Sequence, residues 1–251
     1  MSRAGPSSVT VVSLFPSLLG TYGDGGNALI LQRRCQWRAI DVELIAVNAG
    51  DAVPTGGDIY LLGGGEDGSQ LAAMNALRGT AAAASSLSVA LEAGAQMLAV
   101  CAGLQLLGHS FADSTGATTP GLALLDVTTG RLATRAVGEL LADPDPTLGI
   151  PALSGFENHG GHTVLGPAAT PLGLVRRGTG NGPAAPGEAV SEGALQGGIV
   201  ATYLHGPVLA RNPALADLLI ARAMGIALAA LTPLAMPEHD ALRSRIGMDT
   251  R

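Results

Sequence analysis

The sequence predicts an α/β fold, a mostly parallel sheet with helices on both faces. Apolar runs of strand character alternate with runs of helical period through the first half of the chain. Two of those strand-like runs end in residues that chemistry uses, the glycines Gly63-Gly64-Gly65 and the thiol Cys101. Ligands of open parallel sheets bind outside the carboxyl ends of the strands, so a site is expected there.

Residues 9–14 read as the first strand, 27–38 as a helix and 42–47 as the second strand. Residues 59–62 form a short third strand that runs into the triple glycine. Residues 69–93 are helical, in two pieces broken near Gly79, and 96–100 are the strand that delivers Cys101. The second half is less regular. Residues 121–129 and 172–177 read as strands, Asp143-Pro144-Asp145-Pro146 as a turn, and 178–193, rich in Gly, Pro and Ala, as a surface loop. Residues 199–204 are a further apolar strand, ending at His205. Residues 212–224 read as a helix, with Asn212 suited to the N-cap and Pro213 to the first helical position. With no repeat and no linker, one domain over 9–228 is expected, between a flexible N-terminus, 1–8, and a polar C-terminal tail, 229–251.

Composition narrows the function classes. The 251 residues suffice for one large core, and the net charge of −6, without a basic block, argues against nucleic acid. Two cysteines make no disulfide framework, which fits a reducing cytoplasm. Residues 1–8 lack the apolar core of a signal peptide, and the uncharged stretch 223–237 is interrupted by Pro233 and too short to cross a bilayer. Every basic residue is arginine, so neither a Walker A phosphate loop nor Schiff-base chemistry is open to the chain.

Cys101 lies where an apolar strand passes directly into a helical run, the pattern of a nucleophile elbow. Such a turn tolerates only small neighbours, and Ala99 and Gly103 stand two residues to either side. Free N–H groups of the following helix point at the sulfur and favour its thiolate. The alternative is an inert core cysteine, which is how Cys35, in a helical pattern beside Trp37, is read. His205, followed by Gly206-Pro207, stands at another strand end, where an imidazole can take a thiol proton and return it to a leaving amine. Acyl transfer also develops a negative oxygen. Gly64 or Gly65, with the N–H of Ala102, is the candidate oxyanion hole, and a plain strand-to-helix turn is the alternative for the glycines.

Taken together, Gly63-Gly64-Gly65, residues 100–105 and residues 203–207 resemble class I (triad-type) glutamine amidotransferases, and within them the CobB/CobQ-like branch. Residues 13–16 with 20–27, then 155–161, then 202–207 resemble the GatD-like members of that branch, the glutaminase subunits of lipid II isoglutaminyl synthases. The resemblance covers residues 9–224 and implies a flavodoxin-like fold. It implies that Cys101 attacks the side-chain amide of L-glutamine, that His205 is general base and acid, and that Gln105 shapes the glutamine pocket. It further implies that an arginine within 121–139 binds the substrate: Arg135 by the match, with Arg131 as the competing candidate. A guanidinium can hold an α-carboxylate by two parallel hydrogen bonds.

The sequence departs from the family at Pro207, where many members place a glutamate that orients the histidine. Either a Cys101–His205 dyad suffices or another acid completes the triad; the GatD-like branch implies an aspartate from a partner. His159 and His162 are separated by glycines, so no metal site is expected. The glycine loop 22–27 is read as structural and close to the site. The resemblance implies no cofactor in this chain, with ATP and Mg on a MurT-like Mur ligase subunit. That heterodimeric partner amidates the D-glutamate α-carboxyl of lipid II. Localisation is expected to be cytoplasmic, reaching the inner membrane face only through the complex. Amidation of cobyric acid or cobyrinate, and a catalytically silent partner-binding subunit, are the rival expectations.

Overall fold

The computed structural model of the chain describes residues 8–79, 83–113 and 115–245. Residues 1–7 of the segment expected to be flexible lie outside the described residues, and Ser8 opens the first strand.

The first half folds as the alternation predicts: β1 (Ser8–Leu14), α1 (Gly25–Gln36), β2 (Asp41–Val47), β3 (Ile59–Leu62), α2 (Asp67–Gly79), α3 (Ala83–Glu92), β4 (Gln96–Val100) and α4 (Ala102–Leu107). The next elements are β5 (Ser110–Ala112), β6 (Thr118–Pro120), β7 (Val127–Pro144), β8 (Leu153–Leu165), β9 (Gly173–Arg177), β10 (Ser191–Glu192), β11 (Ala194–Gln196) and β12 (Ile199–Thr202). The chain continues through α5 (Val208–Arg211), α6 (Pro213–Ala223) and α7 (Pro237–Arg245).

One sheet has the order β11-β12-β4-β3-β1-β2, parallel throughout except for β11. β3 and β4 are buried at every position, which is why they read as continuous apolar runs rather than alternating ones. β2 lies at the edge and exposes Asp41 and Glu43, charges that discourage further strand pairing. α1 and α6 are clamped by Arg34, whose guanidinium donates to both carboxylate oxygens of Asp217 at 2.6 Å. Among the described residues no helix is long and apolar enough to cross a membrane.

A second, largely antiparallel sheet departs from the sequence reading. Its order is β10-β9-β7-β5-β6, with β8 paired to β7. The strand expected over 121–129 starts only at Val127 and then runs to Pro144. β7 and β8 form a long ribbon with one wet face, so Arg131, Arg135 and other solvent-facing residues break up any apolar run. Register slips between Arg131 and Ala136, and this bulge leaves residues 132–135 outside the ladder.

Three local expectations are also corrected. The loop 178–193 is not simply superficial: Gly180, Asn181 and Gly182 are buried, because the Glu157 carboxylate accepts the N–H groups of Thr179 and Gly180 at 2.8 and 3.0 Å. Asn212 stands at the N-cap of α6, but its side chain accepts from Ser154 N–H at 2.9 Å and does not cap the helix. Within 229–251, expected as a tail, α7 docks on the domain. The buried Arg243 donates to Arg211 O at 2.8 Å and to Ala152 O at 2.5 Å. Residues 246–251 lie outside the described residues.

Candidate active site

β12, β4 and β3 are neighbours, and their carboxyl ends assemble the site. Cys101 follows β4 at φ 52° and ψ −102°, a backbone conformation that side chains rarely adopt. Its N–H donates to Thr202 O at the end of β12 (2.8 Å), and Gly103 N–H donates to Gly63 O beyond β3 (3.1 Å). A Cβ at Gly103 would meet Leu62 O at 2.3 Å. The small residue expected after the nucleophile is therefore required by the backbone of the neighbouring strand.

His205 leaves β12 and turns back onto β8. Its N–H donates to Phe156 O at 2.8 Å and its carbonyl accepts from Phe156 N–H at 3.1 Å. The imidazole is buried beside the Tyr22 ring, 4.7 Å between centroids. Gly64 fills the space between the imidazole and the thiol: a Cβ there would stand 2.6 Å from His205 Cε1 and 3.4 Å from Cys101 Cβ. Burial pulls the His205 pKa down, but the Asp24 carboxylate and the Cys101 thiol together push it up to about 9.

Asp24 is a residue that sequence reasoning did not single out. It is buried, its Oδ2 accepts Gly64 N–H at 2.8 Å, and its two oxygens lie 3.4 and 3.3 Å from His205 Nδ1. A carboxylate of this chain thus faces His205 Nδ1. The glycine loop 22–27 brings it there: a Cβ at Gly26 would meet Pro207 Cγ at 2.3 Å, and Asn27 Oδ1 accepts Leu209 N–H at 3.0 Å. Since Gly64 N–H is committed to Asp24, Gly65 and Ala102, which line the cavity beside Cys101, are the better-placed pair for an oxyanion.

That cavity measures about 460 Å³, room for a free amino acid. Cys101, Gln105, Arg131 and Arg135 all open onto it, as do the acidic side chains of Glu66 and Asp113. Both signs of charge are therefore available to a zwitterion. Arg135 Nε donates to Asn158 Oδ1 at 2.7 Å, and its Nη2 lies 3.5 Å from the Tyr22 hydroxyl. Gln105 is held from both ends: its Oε1 accepts from Gln70 Nε2 at 2.8 Å and its Nε2 donates to the Tyr203 hydroxyl at 3.2 Å. The floor of the cavity is thus a fixed polar chain.

His159 stacks on Tyr203, 3.7 Å between ring centroids, and its Nε2 lies 3.4 Å from Glu157. Among the described residues no group of three His, Cys, Asp or Glu side chains could hold a metal ion. Cys35, by contrast with Cys101, is fully buried, and burial pushes its thiol up to about 11.

Residues 10–213 match the CobB/CobQ-like glutamine amidotransferase domain. The chain is 32% identical over 216 residues to the GatD subunit of lipid II isoglutaminyl synthase of Staphylococcus aureus, covering 86% of this chain and 84% of that one. Identity to the GatD subunit of Streptococcus pneumoniae is 32% over 224 residues, covering 87% and 82%. A cobyric acid synthase of Rhodobacter capsulatus is 33% identical over 127 residues, 48% of this chain and 24% of that one. Among solved structures, a glutamine amidotransferase of Thermotoga maritima shares the fold at a TM-score of 0.52 and 16% identity, covering 95% of this chain and 94% of that one. With the thiol elbow, the strand-end histidine and the glycine turn in place, the chain belongs to the CobB/CobQ-like glutamine amidotransferase family.

Proposed function

We propose that the chain is the glutaminase subunit of a lipid II isoglutaminyl synthase, releasing ammonia from L-glutamine for a Mur-ligase-like partner. The observation that carries the reading is that His205 and Cys101 flank Gly64, where a Cβ would stand 2.6 Å from His205 Cε1 and 3.4 Å from Cys101 Cβ, with Cys101 opening on a cavity that Arg135 also lines. Likeness to two GatD subunits over most of the chain supports lipid II as the acceptor.

In this reading Arg135 holds the α-carboxylate, with Arg131 beside it, and Gln105 shapes the floor under the side chain. The thiol proton passes to His205 Nε2, and the sulfur attacks the side-chain carbonyl carbon. Backbone N–H groups of Ala102 and Gly65 receive the developing oxyanion. His205 then gives its proton to the departing nitrogen, ammonia leaves, and a γ-glutamyl thioester remains. Water attacks that thioester, losing a proton to His205; the thiolate departs and recovers it, and L-glutamate is released. The chain holds no cofactor in this scheme. ATP and Mg act on the partner, a MurT-like subunit that activates the D-glutamate α-carboxyl of lipid II. Membrane contact comes through that heterodimer.

The test is glutamate release by the chain co-purified with its Mur-ligase-like partner, set against Cys101→Ala in the same complex. Release that vanishes in the variant supports the reading. Absence of release from the intact complex overturns it.

A further inference from the structure

We propose that the cavity between α1, α6 and α7 is a second small-molecule site, for a short aliphatic monocarboxylate held by the buried guanidinium of Arg243. The site stands apart from the glutaminase reading: none of the residues that line it lines the Cys101 cavity.

The cavity measures about 180 Å³, about six times a water molecule's share of the liquid. Pro151, Leu153, Leu215, Leu234 and Met236 wall it, apolar surface suited to a hydrocarbon body. Charge enters through two arginines that also line it, Arg34 and Arg243, which are 3% and 5% exposed. Burying a charge is costly unless it is paired, and on this wall the pairing is incomplete. Asp217 accepts from Arg34 at 2.6 Å and from Arg38 at 2.8 Å, so one carboxylate serves two guanidinium groups. Arg34 turns Nη1 to the sulfur of Met236 at 3.1 Å, a weak acceptor.

Arg243 is the least compensated of them. It donates only to uncharged acceptors: Arg211 O at 2.8 Å, Asn212 Oδ1 at 3.3 Å and Ala152 O at 2.5 Å. Among the described residues it forms no ion pair. Asp240, whose field reaches it, is half exposed at the rim and stands 3.7 Å from His239 Nδ1. Burial accordingly pulls the Arg243 pKa below the ordinary arginine value. Those three bonds occupy Nη1 and part of Nη2, which leaves Nε–H and one Nη2–H for a ligand. Paired guanidinium donors suit a carboxylate. A second negative charge on the ligand would face Asp217 and Asp240, so the site favours a single one.

The probe is isovalerate, a branched aliphatic monocarboxylate, titrated into the full chain by calorimetry, with its neutral amide, isovaleramide, as the control. Saturable binding of isovalerate is expected, with Kd on the order of 1 mM. The amide should bind at least ~10-fold more weakly, the scale of a hydrogen bond to a charged group. This comparison needs no variant. Ala214→Leu then extends a side chain from the first turn of α6 into the cavity and leaves the hydrogen bonds of Arg243 in place. It should weaken isovalerate binding by ~10-fold or more. Arg243→Gln can still donate to Ala152 O but carries no charge, and it should no longer distinguish the acid from the amide. No saturable binding of isovalerate to the wild-type chain, or equal affinity for acid and amide, overturns the proposal. So does wild-type affinity in Ala214→Leu.

Discussion

Gly64 and His205 are packed so closely that a Cβ on Gly64 would stand 2.6 Å from His205 Cε1. Gly64 is therefore fixed by the imidazole, not by its own backbone angle. Gly64→Ala must displace His205 or Asp24, and small-to-large changes in tight packing typically cost ~1–3 kcal/mol. We expect glutamate release by the complex to fall by at least ~10²-fold, the scale of losing a positioned general base, with a melting point lowered by only a few degrees. Wild-type turnover in this variant would show that the imidazole has room to move.

Arg135 and Arg131 differ in how they are held. Arg135 is anchored by Asn158 Oδ1 at 2.7 Å and by Asn158 O at 3.3 Å, which leaves part of its fork for a ligand. Arg135→Ala is expected to raise KM for glutamine by ~10–100-fold, the scale of a charge-assisted pair, with a smaller change in kcat. Arg131→Ala is expected to change KM several-fold less. Arg135→Lys should behave more like alanine than like arginine, because an ammonium lacks the fork. Steady-state kinetics of the three variants decide it, and a larger KM effect at Arg131 would reverse the assignment.

The two thiols should be chemically distinct. Cys101 opens on the cavity, whereas Cys35 is fully buried with its thiol pushed up to about 11 by burial. Iodoacetamide at pH 7.5 should therefore label one site in the native chain, at Cys101, and excess glutamine should slow that labelling. Peptide mass spectrometry reads both outcomes. Equal labelling of Cys35 would mean that α1 opens readily.

Much of this arrangement is legible without coordinates, and the reason differs from residue to residue. Cys101 and His205 announce themselves because each ends a continuous apolar run, and β4 and β12 are central strands. Asp24 is hidden by the opposite circumstance. An aspartate just ahead of a helix reads as an ordinary N-cap, and only the fold shows its carboxylate turned toward Gly64. The bond between Gln105 and Tyr203 joins residues far apart in sequence, so no local pattern could reveal it. The β7–β8 ribbon escaped because its wet face breaks the apolar signal. The glycine-rich loop after β9 reads as surface because nothing local shows that Glu157 satisfies its N–H groups.

Glu192 provides a stability test remote from substrate. It is fully buried, with its Oε1 accepting the Thr202 hydroxyl at 2.5 Å and Tyr203 N–H at 2.9 Å, while Oε2 has no partner. Burial raises its pKa to about 7, more than the hydrogen bonds it accepts lower it, and the nearby Glu157 adds to the rise. The folded chain therefore keeps this proton between the ordinary glutamate value and about pH 7, while the unfolded chain loses it. Stability must fall as pH rises through that window and level off above it, by roughly 3 kcal/mol for this group. Glu192→Gln stays neutral and can retain both accepted hydrogen bonds. We expect urea midpoints at pH 5 and pH 8 to differ less in the variant than in the wild type, with the variant the more stable of the two at pH 8. A variant that is less stable at pH 8, with the wild-type slope intact, would mean that the Glu192 carboxylate is charged in the fold and held by a partner stronger than Thr202.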